Sequence, residues 1–299
     1  YQSKFKEDDM KNGILWCLLL MCSQSFALDK VIYGEDNRLD LFEVKNNIQY
    51  QVALSTAAMI PNYTIKESSD RSGEFEIKSS TLSKRGICED QKFAQQVTAA
   101  NCTGFLVGPK LLVTAGHCIQ SMSSCKNYKW VFGFSLDESN DQNYTISYKE
   151  NIYTCEKIIE RSLDRETMDD YALVELDREV TNREPLKFRT EGRVEDLTSI
   201  FVVGHPTGLP TKIAAGANIR KNEDPVYFQA NLDTFGGNSG SPVFNEEGVV
   251  EGILVRGEQD YVFDRDKNCR VVKECKNDEC RGEDVTRITN ITSLTNLVL

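Results

Sequence analysis

From Asn101 onward the chain is a succession of short β-rich runs broken by turn residues, and this texture limits the folds open to it. Phe105-Leu106-Val107, Leu111-Leu112-Val113, Trp130-Val131-Phe132, Ala172-Leu173-Val174, Ile200-Phe201-Val202-Val203, Val226-Tyr227-Phe228 and Val249 to Val255 are such runs. Gly108-Pro109, Gly208-Leu209-Pro210 and Glu247-Gly248 punctuate them. Many short strands at this spacing, with no long 3.6-residue period between them, indicate an all-β barrel or sandwich. A single helical candidate closes the chain, where Val285, Ile288, Ile291 and Leu294 recur every three residues. Polar Thr181-Asn182-Arg183-Glu184-Pro185 is the expected crossover between two halves, 101–184 and 185–299.

Upstream, residues 28–100 are more polar and irregular, with a Ser/Lys/Glu-rich stretch over Lys66–Lys84. They read as an amino-terminal segment, part propeptide and part first barrel. Met10-Lys11-Asn12, the apolar run Ile14–Cys22 and Ser25-Phe26-Ala27 have the order of a secretory signal peptide over 10–27, preceded by an upstream extension, 1–9. Export to a secreted or periplasmic location is therefore expected. It changes how the cysteines read. Of 10 Cys, Cys17 and Cys22 leave with the signal. The eight that remain suggest disulfides in an oxidising compartment. One pair can be argued: Cys118 directly follows His117, and Cys102 lies one hairpin upstream. Cys269, Cys275 and Cys280 lie in a charged insertion with no histidine nearby, which favours disulfides over zinc, so no metal and no cofactor is expected. A formal net charge of −11 argues against a nucleic-acid partner, and no apolar run reaches the ~18 residues needed to span a bilayer. A monomer is expected. N-x-Thr sequons begin at Asn62, Asn101, Asn143 and Asn290.

Three motifs carry the chemistry: Thr114-Ala115-Gly116-His117-Cys118, Asp169-Asp170-Tyr171-Ala172-Leu173, and Gly236-Gly237-Asn238-Ser239-Gly240-Ser241-Pro242. A serine hydroxyl is a weak nucleophile and needs a base within hydrogen-bond reach. His117 is the obvious base, since the only other histidine is His205, expected to cap a strand. Asp170, just before an apolar run, would fix the imidazole tautomer; Asp169 is its alternative. Ser239, flanked by glycines, would be the nucleophile, with the amides of Gly237 and Ser239 forming an oxyanion hole.

The order His…Asp…Ser resembles that of chymotrypsin-like serine peptidases. Within that superfamily the chain is most similar to the bacterial glutamyl endopeptidase branch, through Gly236 to Asn245 and the opening Val31-Ile32-Tyr33-Gly34-Glu35-Asp36-Asn37-Arg38. The resemblance implies two six-stranded antiparallel β-barrels, here with a short C-terminal helix, and the site between them. It implies a secreted serine endopeptidase that forms an acyl-enzyme on protein or peptide substrates. A catalytically idle binding module on the same fold is the rival. It further implies a substrate pocket near Asp233, Thr234, Leu254 and Gly257. Thr234 matches the pocket threonine of the glutamyl branch, whereas Leu254 stands where that branch carries histidine. Asp233 matches the place of the carboxylate that pairs with Lys or Arg in trypsin-like enzymes. Acidic and basic specificity thus both stay open. Asn238 replaces the aspartate that pairs with a freed amino terminus in the vertebrate digestive enzymes. For a zymogen, cleavage after Lys30 would free Val31 beside Thr234; Lys84-Arg85 is the rival site.

Overall fold

The computed structural model describes residues 31–136 and 146–295. The signal-peptide reading, Lys30 and Asn143 lie outside them. Twelve strands form two closed six-stranded antiparallel barrels. The first comprises β1 (Thr56–Pro61), β2 (Cys102–Gly108), β3 (Leu111–Thr114), β4 (Tyr128–Phe132), β5 (Ile152–Leu163) and β6 (Asp170–Leu176). They pair around the ring as β4-β5-β6-β3-β2-β1, with β1 closing onto β4. The second comprises β7 (Ser199–Gly204), β8 (Lys212–Lys221), β9 (Tyr227–Ala230), β10 (Pro242–Asn245), β11 (Val250–Arg256) and β12 (Glu283–Arg287). Its ring runs β7-β10-β11-β12-β9-β8 and closes through the β7–β8 pairing. Residues 177–198 connect the two.

Unbroken apolar runs appear because both faces of many strands are covered. Successive side chains point to opposite faces of a strand. In β7, Ile200 and Val202 fill the second barrel while Phe201 and Val203 join the core shared with the first. The same alternation puts Val243 inside the second barrel and Phe244 in the shared core, where it stacks on Phe201 at 4.9 Å. Burial on both faces erases the polar-apolar alternation that marks a strand with one solvated side.

The irregular reading of the amino-terminal region gives way to a mixed picture. β1 is buried at every position and is an integral barrel strand. Two helices there and beyond had no period long enough to show. Asn47–Ala53 starts at Asn46, whose side chain accepts from the amides of Ile48 and Gln49, and Met122–Asn127 starts at Ser121, which accepts from Ser124 N. The carboxy-terminal helix begins later than the apolar spacing suggested. Val285 belongs to strand β12 and faces the second barrel's interior. Ile288–Asn290 is a 3-10 turn, and among the described residues the α-helix covers Thr292–Thr295. A three-residue period is the 3-10 repeat, and it brings Ile288, Ile291 and Leu294 into the shared core.

Four disulfides use all eight cysteines of the described residues: Cys88–Cys269, Cys102–Cys118, Cys125–Cys155 and Cys275–Cys280. Cys269 and Cys275 therefore serve different bridges, and no thiolate is left in that insertion to ligate zinc. A further strand, Arg38–Asp40, extends the second sheet beyond β8. There Asp40 and Lys212 form a buried ion pair at 2.5 Å, and the ammonium also donates to Pro210 O at 3.0 Å. Burial pulls the Lys212 ammonium down to about 8 despite its carboxylate partner. No helix among the described residues is long and apolar enough to cross a membrane.

Candidate active site

His117 lies three residues past the end of β3, on a loop whose backbone has little freedom. A Cβ at Gly116 would lie 1.9 Å from Ser162 O, so only glycine lets the loop pass. Arg161 Nε donates to Gly116 O at 2.9 Å, and the Cys102–Cys118 bridge fixes the following residue to the start of β2. Asp170 opens β6, where its two carboxylate oxygens are divided between two donors on one residue. Oδ1 accepts from the His117 amide at 3.0 Å, and Oδ2 lies 2.8 Å from His117 Nδ1. Burial opposes the Asp170 charge. The His117 side-chain bond, with help from the His117 amide and nearby Arg256, nevertheless holds the carboxyl below its usual range. An ionised Asp170 accepts only, so Nδ1 carries the proton and Nε2 keeps its lone pair. Nε2 is buried and has no hydrogen-bond partner among the described residues, Ser239 Oγ included. Such bonds are often long before substrate arrives and tighten in the reacting complex.

Asp169 sits apart from this pair and accepts from Asn290 Nδ2 at 2.9 Å. Arg256 faces Asp170 at 3.8 Å and Asp284 at 3.1 Å, so its charge is directed to these two carboxylates.

Ser239 is carried into the cleft by the Gly236–Pro242 loop, which grips the first barrel. Thr103 N donates to Ser239 O at 2.8 Å, and Thr103 Oγ1 donates to Gly237 O at 2.9 Å. Gly240 has φ +87°, and a Cβ there would lie 2.1 Å from Thr103 O and 2.3 Å from Thr114 Oγ1. The serine loop is thus in contact with the strand end that leads to His117. Each peptide unit preceding a candidate oxyanion donor has its carbonyl tied down. Gly236 O accepts from Thr207 N at 2.5 Å, and Asn238 O accepts from Ser241 N at 2.9 Å. In a trans peptide the N–H points opposite the carbonyl. The amides of Gly237 and Ser239 donate to nothing among the described residues.

His205 is buried beneath this strap and is more than a strand cap. Its Nδ1 lies 3.1 Å from Thr103 Oγ1 and its Nε2 lies 3.3 Å from Thr211 Oγ1. Thr103 Oγ1 donates to Gly237 O and Thr211 Oγ1 to Phe134 O, so both ring nitrogens face hydroxyls whose protons are committed elsewhere, and the neutral ring donates to one of the two. Burial, with the Lys212 charge nearby, pushes the His205 pKa down to about 3. A histidine depressed when folded is protonated more readily unfolded, so its stabilising contribution is complete above about pH 6.5 and declines as pH falls toward about 3. His205→Asn is therefore expected to flatten the loss of stability between pH 6.5 and 4, measured as urea midpoints, by up to about 1.4 kcal/mol per pH unit. An unchanged slope in a folded variant would contradict this role.

The residues expected at a substrate pocket separate into distinct environments. Asp233 is spent on the amino-terminal segment, where its carboxylate accepts from Tyr33 N at 2.7 Å and Asn37 N at 3.3 Å, and burial pushes it up to about 6. Leu254 points into the interior of the second barrel, so its side chain is core; its backbone holds the serine loop by accepting from Gly240 N and donating to Ser241 O. Thr234 and Gly257 do come together, around a residue that sequence reasoning missed. Glu283 Oε2 accepts from Thr234 Oγ1 at 2.8 Å and would lie 1.9 Å from a Cβ at Gly257. Val31 is buried beside them, its carbonyl accepting from Thr234 N at 3.3 Å. Cys102 and Cys118 also cluster with His117, but their sulfurs are bonded to each other.

Two antiparallel six-stranded barrels, with a His–Asp pair on the first and a glycine-framed serine on the second, define a chymotrypsin-like serine peptidase fold. The chain belongs to the trypsin-like peptidase family: the model of the trypsin-like peptidase domain matches residues 102–253, about half of the sequence. Among characterised proteins it is similar to the glutamyl endopeptidase of Bacillus licheniformis, 28% identical over 155 residues, which is 49% of this chain and 46% of that protein. The chain thus aligns with less than half the length of that relative. A solved structure of a Glu endopeptidase in complex with MPD superposes with a TM-score of 0.52 at 15% identity, covering 90% of this chain and 99% of that one.

Proposed function

We propose that the protein is an exported serine endopeptidase that hydrolyses peptide bonds through an acyl-enzyme on Ser239. His117 takes the serine proton at Nε2 and returns it to the leaving amine. Asp170 fixes the tautomer and stabilises the imidazolium. The amides of Gly237 and Ser239 receive the negative charge that develops on the carbonyl oxygen. The observation that carries this reading is the two-point hold of Asp170 on His117, at 3.0 and 2.8 Å, which leaves the buried Nε2 as a base. The four disulfides and the similarity to glutamyl endopeptidase support export, and Val31 beside Thr234 supports activation by a cut after Lys30.

The test is covalent. A fluorophosphonate probe should add one equivalent to the folded protein, with the adduct mapping to Ser239. Preincubation with a cleaved peptide should slow the labelling. A folded protein that neither labels nor hydrolyses peptides after processing would favour the idle binding module.

A further inference from the structure

Beside the oxyanion strap the surface opens into a cleft of about 500 Å³, and its walls come from segments far apart in sequence. Gly236 and Gly237 of the serine loop line it together with Asn101, Thr207, Arg85 and Arg270. The two segments that carry the arginines are tied together. The Cys88–Cys269 disulfide joins residues 181 apart, Arg270 N donates to Gly86 O at 2.9 Å, and Cys88 N donates to Arg270 O at 2.9 Å. Gly86 takes φ +89°, a conformation that favours glycine, and the Arg270 guanidinium packs beside it.

The two guanidiniums are held but not neutralised. Arg85 Nη1 donates to Thr98 Oγ1 at 3.2 Å and to Thr207 O at 3.4 Å, and Arg270 Nη2 donates to Arg85 O at 2.5 Å. All three acceptors are uncharged. Neither arginine makes an ion pair among the described residues, in a chain whose net charge is −11. The carboxylate that lines the cleft, Asp260, accepts from Gly236 N through Oδ2 at 2.9 Å. Each guanidinium keeps donors for a planar carboxylate, which it matches in geometry as well as in charge.

The position of the cleft fixes which part of a substrate would reach it. The leaving amine must face His117, which protonates it. Asn101 adjoins Cys102, and Cys102 is bonded to the residue after His117. The pocket framed by Thr234, Gly257 and Glu283 is a separate set of residues belonging to the second barrel. Resting on the serine endopeptidase reading, we infer that the Arg85–Arg270 cleft is a subsite for an acidic side chain on the leaving-group side of the scissile bond, in the first or second residue after it.

The experiment is cleavage of a mixed-sequence peptide library by the processed full chain, with products identified by mass spectrometry. Pairs of cleaved peptides that differ only by Asp or Asn at those positions are then compared by kcat/KM. Enrichment of Asp and Glu there, with the acid favoured about five- to tenfold over the amide at low salt and less at high salt, is the expected result. In Arg270→Gln the acid-to-amide ratio should fall toward one. Arg85→Gln should do the same, but Arg85 also braces Thr207, so Arg270→Gln is the cleaner variant. Cleavage with no acidic enrichment after the bond overturns the subsite, as does enrichment only before it or an acid preference that survives loss of Arg270. A protein that labels at Ser239 yet shows no such preference refutes the subsite alone. One that neither labels nor cleaves refutes the peptidase reading beneath it.

Discussion

Ser239→Ala and His117→Ala are each expected to lower peptide hydrolysis by on the order of 10⁶, and the double variant should be little worse than either. The non-additivity follows from shared chemistry. Without Oγ there is nothing for Nε2 to deprotonate, and without Nε2 the hydroxyl remains a poor nucleophile. Neither substitution should disturb the fold. Ser239 is held through its backbone, by Thr103 N on its carbonyl, and alanine keeps that bond. His117→Ala leaves the amide that donates to Asp170 Oδ1. Residual activity should remain above the uncatalysed rate, because the amides of Gly237 and Ser239 still orient and stabilise the carbonyl oxygen. Progress curves on one cleaved peptide, with thermal midpoints as a folding control, decide the matter. Near-normal turnover by folded Ser239→Ala protein would sink the assignment.

The site was legible in the sequence to the extent that its chemistry is local. Thr114 to Cys118, Asp170 and the Gly236–Pro242 loop are short motifs whose residue types are dictated by what they do. The Cys102–Cys118 bridge could be argued because both sulfurs flank the same motif. What surrounds the site was not legible, because it is assembled across distance. Thr103 clamps the carbonyls of both Gly237 and Ser239 from more than 130 positions upstream, and nothing in its neighbourhood marks it out. A buried His205 beneath the strap and a Glu283 behind Thr234 belong to the same class. The only available signal was chemical oddity: a second histidine, and an acidic pair, Glu283-Asp284, beside Val285.

The misreadings have physical causes too. Leu254 and Asp233 were placed at the pocket by their offset from Ser239. Strand alternation turned Leu254 into the core, and the amino-terminal segment brought the backbone amides of Tyr33 and Asn37, which claimed Asp233. In the amino-terminal region, β1 hides among polar stretches because its neighbours in the barrel, β2 and β4, follow it by dozens of residues. Its apolar burial is visible only once they pair.

Asp170→Asn is expected to cost about four orders of magnitude in kcat/KM near neutral pH, with modest loss of stability. Asp170 makes two bonds to donors, so an amide in its place must present its NH₂ to one of them. Facing the His117 backbone N–H, it would set donor against donor. Facing Nδ1, it would require that atom to accept, moving the ring proton to Nε2 and removing the base. Either arrangement also leaves the imidazolium without a counter-charge at the moment it forms, and leaves Arg256 with Asp284 alone. Asp169→Asn is the matched control. It removes an equal charge one residue away, but the Asp169 carboxylate is held by Asn290 and Ser162 and not by His117, and an amide oxygen can still accept the Asn290 bond. That variant should stay within about tenfold of the parent, well short of the loss from a lost tautomer. The two substitutions measured side by side separate a specific carboxylate–imidazole contact from a general field effect. Equal losses in both, or a larger loss in Asp169→Asn, would reassign the acid.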